Sequence, residues 1–291
     1  MTSAKSTILS PQNLWPAPAK LNLFLHITAQ REDGFHLLQT VFVLLDFADQ
    51  LSFSVSDNPA IELDYQLPGV KKEQDIIYRA ACALQRKTGV QQGAQIKLEK
   101  NLPMGGGLGG GSSDAATTLL ALNHLWGCGL ELADLAEIGL SLGADVPVFI
   151  YGQNAWAEGV GEHLTPIEVP KAWYLVLIPE INVSTEQIFS DPQLIRDCPP
   201  ITIRDFLAGQ GQNVCDPIVA AQYPEVAAAL DALAASGAKA RMTGTGACVF
   251  AAFETEAEAQ QAWSTLSDKW NGFVAQGLNL SPVHEMLSKT Q

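Results

Sequence analysis

Basic residues are scarce in this sequence. Its 291 residues include 17 lysines and arginines against 31 aspartates and glutamates, which gives a formal net charge of −14. A surface this acidic repels nucleic-acid backbones and anionic lipid. We therefore expect no nucleic acid and no membrane surface as a partner. An anionic small molecule would need a local site of positive potential.

Cysteines are few, and long apolar runs are absent. The five cysteines are widely spaced, odd in number and without a C-x-x-C motif, which argues against a disulfide framework and against a zinc site. No window approaches the roughly 18 apolar residues of a membrane span. Residues 1–15 contain no apolar segment typical of a secretory signal. We expect a cytoplasmic protein with reduced thiols and a loose tail over about the first dozen residues.

The length and the 47% of hydrophobic residues suggest two domains, each with its own core. Two prolines in Leu164–Pro170 mark the expected boundary, with one domain over 1–167 and the other over 168–291. Neither half shows the regular alternation of strand and helix that a doubly wound parallel sheet requires. The sequence therefore predicts an α+β fold in two domains.

Hydrophobic periodicity predicts the individual elements. In the first half we expect strands at 20–28, 40–56 (with a turn near Asp46–Asp49), 94–100 and 146–151, and helices at 75–88 and 131–142. In the second half we expect strands at 173–178 and 242–253, an irregular segment to about 213, and helices at 224–236 and 255–270.

Glycine clusters at one place. Six of the seven residues from Gly105 to Gly111 are glycine, between a predicted strand and a helix that Ser112, Ser113 or Asp114 would cap. Glycine backbone at a helix N-terminus is typical of anion binding, because N–H groups converge and no Cβ blocks the approach. The Walker pattern fails for lack of its lysine, and G-x-G-x-x-G is met only formally. A linker or a tight turn is the alternative.

Two charged residues are candidates for chemistry. Asp145 precedes an apolar segment and a Val-Pro bond, and it could act as a general base toward a hydroxyl group or simply cap a turn or helix. Lys20 opens the first predicted strand on the same face as Asn22, and it needs a partner there unless it protects a strand edge. A second glycine cluster at 242–248 could approach the first loop or a phosphate, or could be a bulged strand.

Together these segments resemble the GHMP kinase superfamily. The resemblance rests on a lysine motif at 18–25, a P-x-G-G-G-L-G-G-G-S-S loop at 103–113 and a glycine motif at 241–250, in that order. With Asp-Gly-Phe-His at 33–36, the chain is most similar to the branch that phosphorylates the 2-hydroxyl of a cytidine-diphosphate-linked methylerythritol in non-mevalonate isoprenoid precursor biosynthesis. The resemblance implies a ribosomal-S5-like N-terminal domain, a ferredoxin-like C-terminal domain and an active site between them.

The resemblance also implies roles for individual residues. Lys20 and Asp145 are expected to be catalytic. ATP, with Mg2+, is expected to contact Lys100, Pro103, Met104, Gly105, Gly106, Gly107, Leu108, Gly109, Gly110, Gly111, Ser112 and Ser113. The acceptor substrate is expected to contact Asn22, Phe35, His36, Asp145, Thr185 and Phe189. The sequence assigns no metal ligand.

Two positions depart from the pattern of the relatives, and other functions compete with the main one. Phe35 replaces a tyrosine common in relatives, and Ile76 stands where they often carry asparagine on the adenine side. A homoserine or mevalonate kinase, a non-catalytic nucleotide-binding protein and a dehydrogenase are the alternatives. We expect a monomer or a homodimer.

Overall fold

A computed structural model describes residues 14–289 of the chain, so the predicted loose tail lies mostly outside the described residues. The first half is built on a long antiparallel pair, β1 (Leu14–Gln30) and β2 (His36–Ser56). The predicted turn near Asp46–Asp49 is wrong, because β2 continues through it. The register instead shifts from Pro18–Ala48 to Lys20–Leu44, so the polar residues mark a β-bulge and not a reversal.

The simple alternation predicted for residues 20–28 is also interrupted by a bulge. The register with β2 shifts between Asn22 and Leu25. Leu21 and Phe24 therefore pack into one core cluster and Leu25 into another, although an unbroken strand would have put Leu21 and Leu25 on one face. Almost all of β1 is buried, so both of its faces contact other parts of the protein.

The remaining elements follow in chain order. In the first half they are β3 (Ile61–Leu63), a 3-10 turn (Lys72–Gln74), α1 (Ile76–Thr88), β4 (Gly93–Glu99), α2 (Gly110–Leu125), α3 (Leu132–Leu142), α4 (Val146–Tyr151), β5 (Ala155–Glu158) and β6 (His163–Pro166). In the second half they are β7 (Trp173–Ile178), α5 (Thr185–Ser190), α6 (Ile203–Leu207), α7 (Asp216–Gln222), α8 (Pro224–Ala234), β8 (Arg241–Met242), β9 (Val249–Phe253), α9 (Glu256–Leu266), β10 (Asn271–Leu278) and α10 (Pro282–Lys289).

Most predicted elements are confirmed, but the strand predicted over 242–253 is divided into β8 and β9. Three further predictions are wrong. The apolar segment after Asp145 is the helix α4 and not a strand; it is short, and Pro147 lies in its first turn, where proline is well tolerated. Helix α2 begins at Gly110 with Gly109 as its N-cap, so the serines and Asp114 lie inside the helix and not at its cap. The segment expected to be irregular up to residue 213 contains α5 and α6.

The two halves are joined through the sheet. Among the described residues the main strand order is β3-β4-β2-β10-β7-β9-β8, with β1 and β5 also paired to β2. Strand β10 pairs with β7 along its length and with β2 at Gly277 and Leu278. The molecule is thus a mixed α and β fold in which β1, β2 and β10 bring distant segments together. No helix within residues 14–289 has the length and apolar character needed to cross a membrane.

Candidate active site

The glycine-rich loop lies between β4 and the N-terminus of α2. Gly105, Gly107 and Gly109 have φ angles of 73°, 79° and 72°, in the left-handed region that other residues rarely adopt. The first N–H groups of α2 have no partner within the helix, and the helix dipole adds positive potential there. The loop lines a cavity of about 350 Å3 together with Ile76 and Lys100. This cavity can accept an anion such as a phosphate chain.

Contacts from both halves of the chain fix the conformation of this loop. The Lys20 N–H donates to the Leu108 carbonyl at 2.9 Å, and the Thr243 hydroxyl donates to the Gly107 carbonyl at 3.2 Å. The Cys248 N–H donates to the Gly106 carbonyl at 3.1 Å. The second glycine cluster therefore does approach the first loop, as one of its two interpretations predicted.

A buried ion cluster supports the start of the loop. Lys100 pairs with Asp49 and, at 2.7 Å, with Asp114. Asp49 is fully buried and also accepts the N–H groups of Asn101, at 2.6 Å, and Leu102, at 2.7 Å. Burial raises the pKa of Asp114 to about 7, against the opposing effect of Lys100. Lys100 also lines the loop cavity, but two carboxylates already share its charge.

Lys20 and Asp145 lie side by side, as a catalytic pair requires. The Lys20 ammonium is 3.1 Å from an Asp145 carboxylate oxygen. The Lys20 side chain is buried and lies 5.2 Å from the centre of the Phe42 ring, whereas 35% of the Asp145 side chain is exposed. Asp145 occupies the N-cap position of α4, yet its side chain makes no capping hydrogen bond. The carboxylate is therefore held by Lys20 and remains open to a substrate.

Asn22 orients the Lys20 side chain. Its Oδ1 atom accepts a hydrogen bond from Lys20 Nζ at 2.5 Å, and its Nδ2 atom donates to the Thr40 hydroxyl at 3.0 Å. Its backbone N–H donates to the Thr243 hydroxyl at 3.0 Å. Asn22 thus lies next to the Lys20–Asp145 pair, on the same side of β1 as Lys20.

The other predicted substrate residues form a second group. His36 is buried, and its ring centre is 5.0 Å from that of Phe189, while Phe35 is 61% exposed. The Arg196 Nε–H donates to His36 Nε2 at 3.2 Å. Burial, and secondarily the charge of Arg196, lower the pKa of His36 and so favour the neutral imidazole. Because Nε2 accepts from Arg196, the neutral ring carries its proton on Nδ1.

The segment 243–248 connects the two groups. The hydroxyls of Thr185 and Thr245 are 2.8 Å apart, which joins α5 to this segment. Thr243, at its start, contacts Asn22 and the glycine loop. The candidate site therefore extends from the loop cavity past Lys20 and Asp145 to the aromatic group.

The sequence assigns no site role to three residues of this arrangement, Asp49, Asp114 and Arg196, and it singles out Thr243 only as part of the second glycine cluster. It predicts a turn near Asp49 and offers Asp114 as a helix cap. The available signal for Asp49 was a polar residue inside a long apolar strand, because a buried carboxylate there needs a cation. Within residues 14–289 no group of three or more histidine, cysteine or acidic side chains is placed to hold a metal ion.

Comparison with known proteins supports this description. The family description "GHMP kinases N terminal domain" matches residues 75–153, and "GHMP kinases C terminal" matches residues 202–272. A 4-diphosphocytidyl-2-C-methyl-D-erythritol kinase of Nitrosococcus oceani is 56% identical over 95% of this chain and 99% of its own. The corresponding enzyme of Pseudomonas aeruginosa is 53% identical over 94% of this chain and 96% of its own.

Solved structures show the same relationship. A crystal structure of 4-(cytidine 5'-diphospho)-2C-methyl-D-erythritol kinase superposes with a TM-score of 0.80 at 32% identity and covers 91% of this chain and 98% of its own. A homoserine kinase from Cytophaga hutchinsonii superposes with a TM-score of 0.69 at 17% identity, over 96% of this chain and 98% of its own. The second comparison concerns the fold alone.

Proposed function

The chain belongs to the GHMP kinase family, and we propose that it is an ATP-dependent kinase that phosphorylates the 2-hydroxyl of 4-diphosphocytidyl-2-C-methyl-D-erythritol in isoprenoid precursor biosynthesis. The observation that carries the chemistry is the Lys20–Asp145 ion pair of 3.1 Å, within one site with the glycine loop. The chain is 52% to 56% identical to kinases of this name over nearly its whole length, and this identity is the reason for proposing this acceptor.

The glycine loop binds the phosphates of ATP in this proposal. The residues concerned are Pro103 to Ser112, with Lys100 in the wall of the same cavity. Ser113, which the sequence also predicts to contact ATP, does not line this cavity and is fully buried within α2. Backbone N–H groups and the α2 dipole neutralise part of the phosphate charge, which overcomes the repulsion from a protein of net charge −14. Asp75, Ile76 and Ile77 line the same cavity and are placed to contact the nucleotide.

Asp145 takes the proton of the acceptor hydroxyl. Its carboxylate is partly exposed, whereas the paired Lys20 ammonium is buried, so a substrate reaches the base and not the cation behind it. Lys20 keeps the carboxylate oriented and is in turn oriented by Asn22. Phosphoryl transfer depends mostly on such positioning and on charge neutralisation.

Mg2+ would accompany ATP. The residues present fit such an ion, because Mg2+ is usually bound through one or two protein oxygens together with substrate phosphates. Ser112, whose hydroxyl lies beside Gly143 near the end of α3, would provide such an oxygen next to the phosphate-binding loop. The bound ion would neutralise charge on the transferred phosphoryl group.

The aromatic group recognises the cytosine base in this proposal. Phe35 exposes its ring and Phe189 lies beside His36, which suits stacking on a planar base. Selection of cytosine would then depend on hydrogen bonds near His36. Thr185, bonded to Thr245, lines the path from the base toward Asn22 and Asp145.

We also propose the finer division of the fold. Residues 1–167 form a ribosomal-S5-like domain and residues 168–291 a ferredoxin-like domain, with the active site between them. The position of the site between them is supported by contacts that cross this division, namely Thr243 with Asn22 and Gly107, and Arg196 with His36.

A phosphoryl-transfer assay with a set of acceptors tests the function. Purified protein with Mg2+ and ATP should phosphorylate the full cytidyl substrate, and should be much less active on free methylerythritol, homoserine or mevalonate. The Asp145→Asn variant is the control for contaminating kinases and should lose the activity. Equal activity on free methylerythritol would contradict base recognition, and preference for homoserine or mevalonate would establish an alternative member of the family.

A further inference from the structure

A second cavity lies behind the strand that carries Lys20 and Asn22. Its volume is about 220 Å3, and it shares no lining residue with the nucleotide cavity. Its wall includes Leu23, Tyr174, Phe206, Lys239, Arg241 and Phe250. None of these residues has a role in the kinase site described above. We refer to this space, defined by those six residues, as the back cavity.

The floor of the back cavity is aromatic. Tyr174 and Phe250 are buried, and their ring centres are 6.0 Å apart in an edge-to-face arrangement. Phe206, on α6, adds a third ring and is itself packed against Phe24 with ring centres 5.5 Å apart. This floor favours a flat or short apolar body, because aromatic side chains bury large apolar areas.

The rim of the back cavity is cationic. Arg241 donates a hydrogen bond to the Leu23 carbonyl, and no ion pair joins Arg241 or Lys239 to a carboxylate of the described part of the chain. Arg241 and Lys239 both line the cavity, and the positive charge of Arg241, with burial as a smaller cause, lowers the pKa of Lys239. Burial lowers the pKa of Arg241, and the charge of Asp216 opposes this shift without forming an ion pair with Arg241.

Two neutral polar groups of the cavity also lack partners. Within residues 14–289, the hydroxyl of Tyr174 and the side-chain amide of Gln210 make no hydrogen bond, although both residues line the cavity. Polar groups at a cavity wall are usually satisfied by water or by a ligand. Cationic and neutral donors thus surround one small space with an apolar floor.

We propose that the back cavity binds a small organic anion. The carboxylate or phosphate of this ligand contacts Arg241 and Lys239, and its flat or short apolar body lies on Phe206 and Phe250. The argument is one of charge: in a protein of net charge −14, two cations that line one cavity without an ion-paired carboxylate form a local site of positive potential. The arginine fork also matches the geometry of both acidic groups.

Calorimetric titration of the full chain with phenyl phosphate tests this site. The titration contains saturating ADP, so that the glycine loop is already occupied. Lys239→Glu reverses a rim charge at an exposed position, and Ala252→Trp fills the cavity from an exposed position in its wall. Each should weaken binding about tenfold or more, which corresponds to about 1.4 kcal/mol. Lys171→Glu, the same charge change at an exposed position outside the cavity, should bind as the wild type does.

Related probes separate the contributions of head group and body. Benzoate and phenyl phosphate together identify which acidic group the rim prefers, and binding of either supports the site. Inorganic phosphate should bind more weakly than phenyl phosphate, and benzyl alcohol should not bind. The proposal is overturned by any of three results: no saturable binding of either aromatic anion up to about 10 mM, at the weak end of specific affinities, unchanged binding in both variants, or inorganic phosphate binding as tightly as phenyl phosphate. This test does not use the kinase reaction and is independent of it.

Discussion

Replacing Gly107 by alanine should lower both the stability of the protein and its affinity for ATP. A second variant separates the effect of left-handed backbone strain from the effect of steric overlap. A Cβ at Gly107 would lie 2.3 Å from the Thr243 carbonyl oxygen, where ordinary van der Waals contact begins at 3.4 Å. The backbone at Gly107 is also left-handed, with φ of 79°. The contacting atom of Thr243 is its backbone oxygen, which cannot move away by a change of side-chain rotamer. The glycine loop or the 243–248 segment must therefore move.

Gly127 provides the matched control at the opposite end of the same helix. It has a similar left-handed φ of 64°, but a Cβ there would have nothing within 4 Å. Gly127→Ala should therefore cost only the left-handed strain of about 1–2 kcal/mol. Gly107→Ala adds an overlap of the overpacking type, about 1–3 kcal/mol more. The 16 residues of α2 separate the two positions by roughly 24 Å.

Urea unfolding and calorimetric titration with ATP measure the two effects. The free energy of unfolding of Gly107→Ala should be lower than that of Gly127→Ala by the overlap energy. ATP affinity should fall at least about tenfold, or 1.4 kcal/mol, only in Gly107→Ala. If the two variants have equal stability and equal ATP affinity, the contact between the glycine loop and Thr243 does not constrain the nucleotide site, and the reasoning fails.

Four further outcomes are expected. Asp145→Asn should keep ATP binding and lower kcat by about two to four orders of magnitude. The double variant with Lys20→Met should have a kcat little lower than that of the more damaging single variant, as steady-state kinetics of all three variants would establish. Asp49→Asn should destabilise the protein by about 3–5 kcal/mol in urea unfolding because it breaks a buried ion cluster, and should raise the KM for ATP. Phe35→Ala should weaken the cytidyl substrate roughly ten- to a hundredfold in calorimetry while Phe35→Tyr binds normally, using about 1–3 kcal/mol per stacked base; equal binding by the alanine variant would remove stacking from the proposal. Burial raises the folded-state pKa of Asp216 to about 7, so this carboxyl lowers the free energy of unfolding as the pH rises from about 4 to 7. In urea unfolding, Asp216→Asn should therefore be more stable than the wild type at pH 8 but not at pH 4.

The elements that could be predicted from the sequence are those whose ends are fixed by local chemistry. Helix α1 begins after Asp75, whose carboxylate accepts the Ile77 and Tyr78 N–H groups, and it ends at the left-handed Gly89. Helix α9 begins with a capping box at Thr255 and Glu258. Such caps involve residues two or three positions apart, so the pattern is visible in the sequence itself.

The parts that could not be predicted depend on partners far along the chain. The segment Val146–Tyr151 is apolar throughout and six residues long, and periodicity cannot separate a buried strand from a buried helix at that length. The pairing of Lys100 with Asp49 joins residues 51 positions apart, and that of Arg196 with His36 joins residues 160 positions apart. Nothing local distinguishes Lys100 and Arg196 from solvent-exposed cations.

The glycine run itself shows the limit of a motif. In the sequence its six glycines are equivalent, and together they predict one anion-binding loop. In the structure they face different neighbours: a Cβ would meet the Cys248 sulfur at 2.6 Å from Gly106, the Thr243 carbonyl at 2.3 Å from Gly107, and only Ile76 at 3.9 Å from Gly111. Gly106 and Gly107 are thus required for close packing against the second half of the chain, whereas Gly111 is not. The loop is therefore also a contact surface between the two halves, so the residues that shape the nucleotide cavity include some from segment 243–248, more than 130 positions away.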